Sequence, residues 1–392
     1  MKRILLGAAS ALAVTVGAAA PAQADYTLTI LHFNDFHARF ESINAFDSNC
    51  DAETEAAGEC FGGIARLKTA IDMRRDALSD QNVVLLSAGD NFQGSLFYTQ
   101  YKSELIAEFM NDLGVDAMVT GNHEFDDRPA ELARMIDLAD FPVIGGNFDV
   151  SNEPELAGKL PGVTILTVGG ERIAVIGALT EDTPEISSPG DNITFYQAEN
   201  YIGGAIPVLE EAGINKVIVL SHTGFNREQE IAAAVPGVDV IVGGHTNTLL
   251  SNTNEDAVGP YPFMVTGADG TEVPVVQAYA YGKYLGELTV TWDDAGNVIS
   301  ATGEPILLDA SIEPDQSYLD RVAEAAGPLE ELKAQVIGTA TDAIVGDRSV
   351  CRAMECSMGN LVADALLDRT AGQGVQIAIT NGGGLRASID AG

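Results

Sequence analysis

The chain has 392 residues, 46% of them apolar, which is enough for two or three domains with substantial cores. Its formal net charge is −36, and about −38 without the basic Lys2 and Arg3. So acidic a surface excludes nucleic-acid polymers as partners, because phosphate backbones are gripped by Lys and Arg.

The acidity by itself fits solubility or a saline habitat. A small phosphate substrate would need positive charge supplied locally, and metal ions are the obvious source.

Residues 1–24 read as a secretory signal peptide. Lys2 and Arg3 form the basic start, Ile4 to about Ala20 the apolar run, and Ala22-Gln23-Ala24 the small-x-small cleavage site. The chain is therefore expected to be secreted into the periplasm. A membrane anchor is the rival reading, and no later stretch is long and apolar enough to span a bilayer. The four cysteines fall in two close pairs, Cys50 with Cys60 and Cys351 with Cys356. An even count in a secreted chain favours disulfides. Zinc–thiolate ligation is the alternative, although neither pair has CxxC spacing.

Residues 26–34 alternate and are rich in β-formers, so they predict a strand. Asn82–Ser87, Asp116–Thr120, Val143–Gly145, Arg172–Leu179, Lys216–Ser221 and Val238–Val242 predict further buried strands. Helical spacing lies between them, as in Ile64, Leu67 and Ile71 or Leu105, Phe109 and Leu113. Alternating strands and helices indicate an α/β layered domain. Val273–Tyr279 and Leu285–Trp292 come without helices between them and are expected to complete a second sheet. Pro314 to about Gln335 predicts a linker helix broken near Gly327-Pro328. Beyond it, Ile337–Val345 and Gln376–Thr380 read as strands, and Met358–Thr370 as an amphipathic helix.

There are only five histidines: His32, His37, His123, His222 and His245. Four stand just beyond predicted strands, in Asn34-Asp35-Phe36-His37, Gly121-Asn122-His123-Glu124, Ser221-His222 and Gly243-Gly244-His245-Thr246-Asn247. A further strand ends in Gly89-Asp90-Asn91. In α/β sheets ligands bind outside the carboxyl ends of strands, so five strand ends converge on one rim. Asp-x-His alternation sends both side chains the same way. Carboxylate with neutral imidazole favours Zn, Mn or Fe over Ca. Asp-x-His or Gly-Asp alone reads as a turn or cap, and Gly-Asn-His-Glu is more specific; the ordered set is what points to a metal centre. His32 lies within its strand and reads as a packed residue.

The order Asp35-x-His37, Gly89-Asp90, Gly121-Asn122-His123-Glu124-Phe125-Asp126, Ser221-His222 and Gly244-His245-x-Asn247 resembles the calcineurin-like metallophosphoesterases. Cys351-Arg352-x-x-Glu355-Cys356-Ser357-Met358-Gly359-Asn360-Leu361 and Asn381-Gly382-Gly383-Gly384-Leu385-Arg386 narrow the resemblance to the 5′-nucleotidases and UDP-sugar hydrolases. It implies a four-layer α-β-β-α sandwich over 25–312, a linker helix over 313–335 and the incomplete start of a second α/β, substrate-binding domain over 336–392. It implies two divalent cations, Zn, Mn or Co. One would sit on Asp35, His37, Asp90 and Asn247, the other on Asp90, Asn122, His222 and His245. Asp90 would bridge them. His123, oriented by Asp126, would face the scissile phosphate. Arg39, Arg352, Asn381 and Arg386 would hold the substrate, and a Cys351–Cys356 disulfide would fix the loop presenting Arg352. The implied reaction is hydrolysis of a nucleotide or nucleotide-sugar phosphate ester, by in-line attack of a cation-activated hydroxide on phosphorus. A salt bridge or turn is the structural alternative for each substrate residue.

The family's C-terminal domain continues past the Gly-Gly-Gly-x-Arg turn and supplies two aromatic rings that sandwich the base. This chain stops soon after that turn, so it is expected to be a fragment that folds its N-terminal domain, retains metal binding and handles nucleotides poorly. Competing readings are a 2′,3′-cyclic-nucleotide 2′-phosphodiesterase/3′-nucleotidase, a sulfur-oxidation metallohydrolase and a non-catalytic periplasmic metal or nucleotide binder. Oligomeric state is not legible.

Overall fold

The computed structural model describes residues 25–382, 385 and 387–392. The signal-peptide reading and Arg386 therefore lie outside the described residues. The chain divides into two compact units, one ending at Ala326 and the other running from Gly327 to Gly392.

The first unit is built on two sheets. One runs in the order Val298–Gly303, Tyr284–Trp292, Tyr26–Phe33, Val83–Ser87, Ala117–Val119, Val143–Ile144. Its last four strands are parallel neighbours in chain order, so every loop that follows one of them leaves from the same edge. The other runs Phe263–Thr266, Glu272–Val276, Val240–Val242, Val217–His222, Glu171–Leu179, Val163–Val168, with its four central strands parallel. The register sets His222 opposite Leu179.

Period-two alternation decides what each face meets. Leu28, Ile30, Val84, Leu86, Ala117, Val119 and Ile144 of the first sheet share one core with Ile218, Leu220, Val240 and Val242 of the second. The intervening residues Leu31, Phe33, Leu85, Met118 and Val143 are also buried. They face the other way, where helices such as Ile64–Ala77, Ser103–Leu113 and Arg128–Leu138 present Leu67, Ile71, Phe109, Met110, Leu132 and Met135 as buried apolar residues. Helix Ala198–Glu211 packs on strand Glu171–Leu179 of the second sheet, and Phe225–Ala234 on the strands beyond. The result is the expected four-layer α-β-β-α sandwich.

Three expectations are corrected. Of the strands read at 273–279 and 285–292 as completing a second sheet, only the first does so. Glu272–Val276 pairs with Val240–Val242, whereas Tyr284–Trp292 pairs antiparallel with Tyr26–Phe33 at the opposite end of the chain. The linker helix runs unbroken from Gln316 to Lys333 through Pro328. Proline forfeits one hydrogen bond there, while Tyr318, Val322, Ala325 and Leu329 are buried at helical spacing on both sides of it. In the second unit, 337–345 and 376–380 are not strands. A strand needs a continuous ladder, and among the described residues 337–345 has only two isolated backbone pairs, Ile344 with Ile389 and Ala340 with Gly392. Ile337 and Ile379 accordingly stand 95% and 87% exposed.

Helix Ser357–Thr370 forms as predicted but buries no residue fully. A small cluster of Cys351, Cys356 and Leu385, with Val350, Met358 and Val362, is the core of this unit. Both cysteine pairs are disulfides, Cys50–Cys60 and Cys351–Cys356, which removes the thiolate-zinc alternative. Among the described residues no helix is long and apolar enough to cross a membrane.

Candidate active site

The rim formed by the parallel strand ends gathers Asp35, His37, Asp90, Asn122, His123, His222, His245 and Asn247. Five of them have a left-handed backbone: Asp35 (φ 50°), His37 (51°), Asp90 (54°), His245 (78°) and Asn247 (53°). Each such residue costs roughly 1–3 kcal/mol, and clusters of them mark functional sites. They let a chain emerging from a strand turn its side chain back over the sheet edge. Glycine makes the close approach feasible: a Cβ on Gly121 would lie 2.1 Å from Asp90 Oδ1, and one on Gly244 2.7 Å from the Ala88 carbonyl.

Asp90 is the hub. Its Oδ2 lies 3.0 Å from His222 Nε2 and 4.0 Å from His123 Nε2, and its Oδ1 accepts the His123 amide at 2.9 Å. Ligand atoms of Asp90, His222 and His245 lie within 4.8 Å of one another, and so do those of His37, Asp90 and His123. His37 Nε2 is 3.8 Å from Asp35 Oδ1. The far ring nitrogens are anchored, His37 Nδ1 on the Phe92 carbonyl at 3.0 Å and His222 Nδ1 on that of Ala88 at 2.6 Å. That leaves each Nε2 facing the centre, the arrangement metal-binding imidazoles adopt.

The donor set fits divalent cations. Asn122 Oδ1, Asn247 Oδ1 and His222 Nε2 are buried without a hydrogen-bond partner. Buried polar atoms left unpaired in this way are costly unless an ion satisfies them. His222 Nε2 lies 3.0 Å from the Asp90 carboxylate, and the pair attracts by charge. Burial opposes a charge on His222, yet the Asp90 and Asp35 carboxylates hold its imidazole up to about 10. Burial likewise opposes the charge on Asp90, which His222 and His37 nevertheless keep well below the carboxylate range. Burial and the neighbouring His222 push His245 down to about 4. The box thus demands positive charge, which a proton or a metal ion can answer.

His123 stands at the mouth, 36% exposed at its side chain, with Nδ1 held 2.6 Å from Asp126 Oδ2. Burial works against its protonation, but Asp126 and Asp90 raise it to about 9. Asp126 Oδ1 in turn accepts the Ser187 hydroxyl at 2.7 Å. Arg39 lies at the edge of the site: its guanidinium sits 5.4 Å over the Tyr281 ring, which lies 5.7 Å from His37. Arg352 and Asn381 belong to the second unit, both exposed. His32 is a core residue, as read from its position. It is fully buried with Nε2 2.7 Å from the Tyr261 hydroxyl, and burial pushes it down to about 3.

Several supporting residues escaped the sequence reading. The buried Glu124 carboxylate accepts the amides of Gly121 (2.6 Å), Asp90 (2.9 Å), Asn91 (2.8 Å) and Phe92 (3.2 Å), locking two ligand loops together. Asn34 donates to Asp35 Oδ2 at 2.8 Å and to the Tyr279 carbonyl. Both lie inside quoted motifs, which was the available signal. Ser187, Glu228 and Gln277 lie outside any motif.

The sequence pattern of the family described as "Calcineurin-like phosphoesterase" matches residues 28–248, and that of "5'-nucleotidase, C-terminal domain" matches 336–392. The chain belongs to the calcineurin-like phosphoesterases of the 5′-nucleotidase family. It is 40% identical to a 5′-nucleotidase of Bos taurus over 94% of this chain and 66% of that protein. It is also 40% identical to a snake venom 5′-nucleotidase of Naja atra, over 93% and 70%. The crystal structure of a 5′-nucleotidase precursor from Thermus thermophilus superposes with a TM-score of 0.79 at 40% identity, covering 93% of this chain and 71% of that one. The phosphoesterase thus spans about two thirds of the length of such relatives.

Proposed function

We propose that this phosphoesterase hydrolyses phosphate monoesters of nucleotides in the manner of a 5′-nucleotidase, using two divalent cations. The observation that carries the reading is Asp90, shared by two groups of ligand atoms, with three unpaired buried polar atoms around it. Asp35, His37, Asp90 and Asn247 would hold one cation, and Asp90, Asn122, His222 and His245 the other. Zn, Mn and Co suit this mixture of imidazole, amide and carboxylate. Bound there, such ions supply Lewis acidity to a phosphoryl oxygen and lower the pKa of water.

The chain's own groups complete the chemistry. His123 presents Nε2 at the open side, where negative charge grows on the phosphoryl oxygens as the ester bond lengthens. A proton on that nitrogen is also placed for the leaving oxygen. Asp126 holds the imidazole in the orientation that exposes Nε2, and Ser187 holds Asp126. Arg39 lines the mouth beside Tyr281 and suits a substrate oxygen. Arg352, Asn381 and Arg386 are proposed to hold the nucleoside, and UDP-sugars are a further substrate class. Two disulfides support an oxidising, extracytoplasmic setting such as the periplasm.

The test is phosphate release from AMP, UDP-glucose, 2′,3′-cyclic AMP and an aryl phosphate, before and after chelation and after return of Mn, Co or Zn. Metal-restored release from AMP or the aryl ester is expected. Hydrolysis indifferent to chelation, or turnover of the cyclic diester alone, overturns the proposal.

A further inference from the structure

The turn that carries His245 and Asn247 has two left-handed residues, at φ 78° and 53°. Strain of this kind persists only where the surroundings over-determine the backbone. The side chain that does so is Gln277, fully buried and placed directly after strand Glu272–Val276. Its Nε2 donates to the Gly244 carbonyl at 2.9 Å. Its Oε1 accepts the Thr248 amide at 3.1 Å and the Thr246 hydroxyl at 3.4 Å. One amide group therefore ties the residue before His245 to the residue after Asn247.

Glu228 decides which way round that amide sits. It too is fully buried, on helix Phe225–Ala234. Its Oε2 accepts Gln277 Nε2 at 2.7 Å, and its Oε1 accepts the Gly244 amide at 3.2 Å. A flipped Gln277 would set its oxygen against the Glu228 carboxyl and its NH₂ against the Thr248 N–H. Gly243 leaves the room this needs, since a Cβ there would lie 2.2 Å from the Glu228 carboxyl.

We propose that Gln277, oriented by Glu228, is a positioning residue that sets the His245–Asn247 turn for cation binding; this rests on the two-cation reading above. Neither side chain supplies a ligand atom. Both act through the backbone of the turn, as outer partners of metal ligands commonly do.

Gln277→Ala deletes both ties. Glu228→Gln keeps the volume but replaces one carboxyl oxygen with an NH₂, so the side chain can no longer accept from both Gln277 Nε2 and the Gly244 amide. Zinc affinity of the whole chain is measured by competition with a chromophoric chelator, beside the melting temperature of the chelated protein. Both variants should bind zinc roughly 10–100-fold more weakly, with Glu228→Gln melting near the wild type when metal-free. Zinc affinity within two-fold of wild type in either folded variant overturns the proposal. So does failure of both variants to fold in the presence of zinc, which would assign the pair to core packing. Wild-type protein that takes up no zinc defeats the two-cation reading itself and is distinguished by that control.

Discussion

The carboxylate of Asp90 stands 3.0 Å from the imidazole of His222, both buried, one from each sheet of the sandwich. Removing either charge leaves the other uncompensated in a low-dielectric pocket. Asp90→Asn should therefore lower bound metal below one ion per chain, because it weakens both ligand groups at once. Elemental analysis of protein refolded or purified with excess Mn or Zn checks this; two ions retained by the variant would remove Asp90 from the hub.

His123→Ala should separate catalysis from metal binding. A positioned proton donor contributes about 10²–10⁴-fold, so kcat should fall by that much with metal content unchanged. Ser187→Ala, which frees only Asp126 Oδ1, should cost less than about tenfold. Steady-state kinetics beside metal analysis decides it, and loss of metal in His123→Ala would recast that residue as a ligand.

Asp239 gives a pH dependence remote from the site. Its Oδ2 accepts the Val217 amide at 2.7 Å and the Trp292 indole at 3.1 Å. Burial, with Asp269 nearby, pushes its carboxyl up from 3.8 to about 7. A raised acid binds its proton longer when folded than when unfolded. Stability from this group is thus lost as pH rises from about 4 to about 7, by at most about 4 kcal/mol, and is level above. Urea midpoints of Asp239→Asn measured against wild type should differ in slope across that window. Parallel profiles would show that Asp239 does not titrate there.

The Cys50–Cys60 disulfide closes a loop of sequence separation 10 around the helix Ala52–Ala56. Chain entropy alone makes it worth about 2–3 kcal/mol. Replacing both cysteines by serine should lower the urea midpoint accordingly, and an unchanged midpoint would mean that the packed loop needs no cross-link.

Local pattern carried much of the first unit. Strands such as Tyr26–Phe33 and Glu171–Leu179 declared themselves within a residue or two, because period-two burial and β-branched residues leave a local trace. The edge strands Val163–Val168 and Val298–Gly303 were missed. Both are half-exposed; Val298–Gly303 has no apolar run to mark it, whereas Val163–Val168 carries the β-branched pattern VTILTV. In the second unit the apolar segments at 337–345 and 376–380 had the right composition, but ladder pairing is a property of neighbours.

The residue types at the strand ends, their order and the glycines beside them were written in the sequence, since ligand chemistry and positive-φ turns depend on local side-chain identity. Which sheet Tyr284–Trp292 joins, that Asp90 meets His222 across two sheets, and that Gln277 and Glu228 close under the His245 turn were decided only by tertiary structure. Those contacts join residues far apart in the chain, and their geometry exists only once the two sheets share a core.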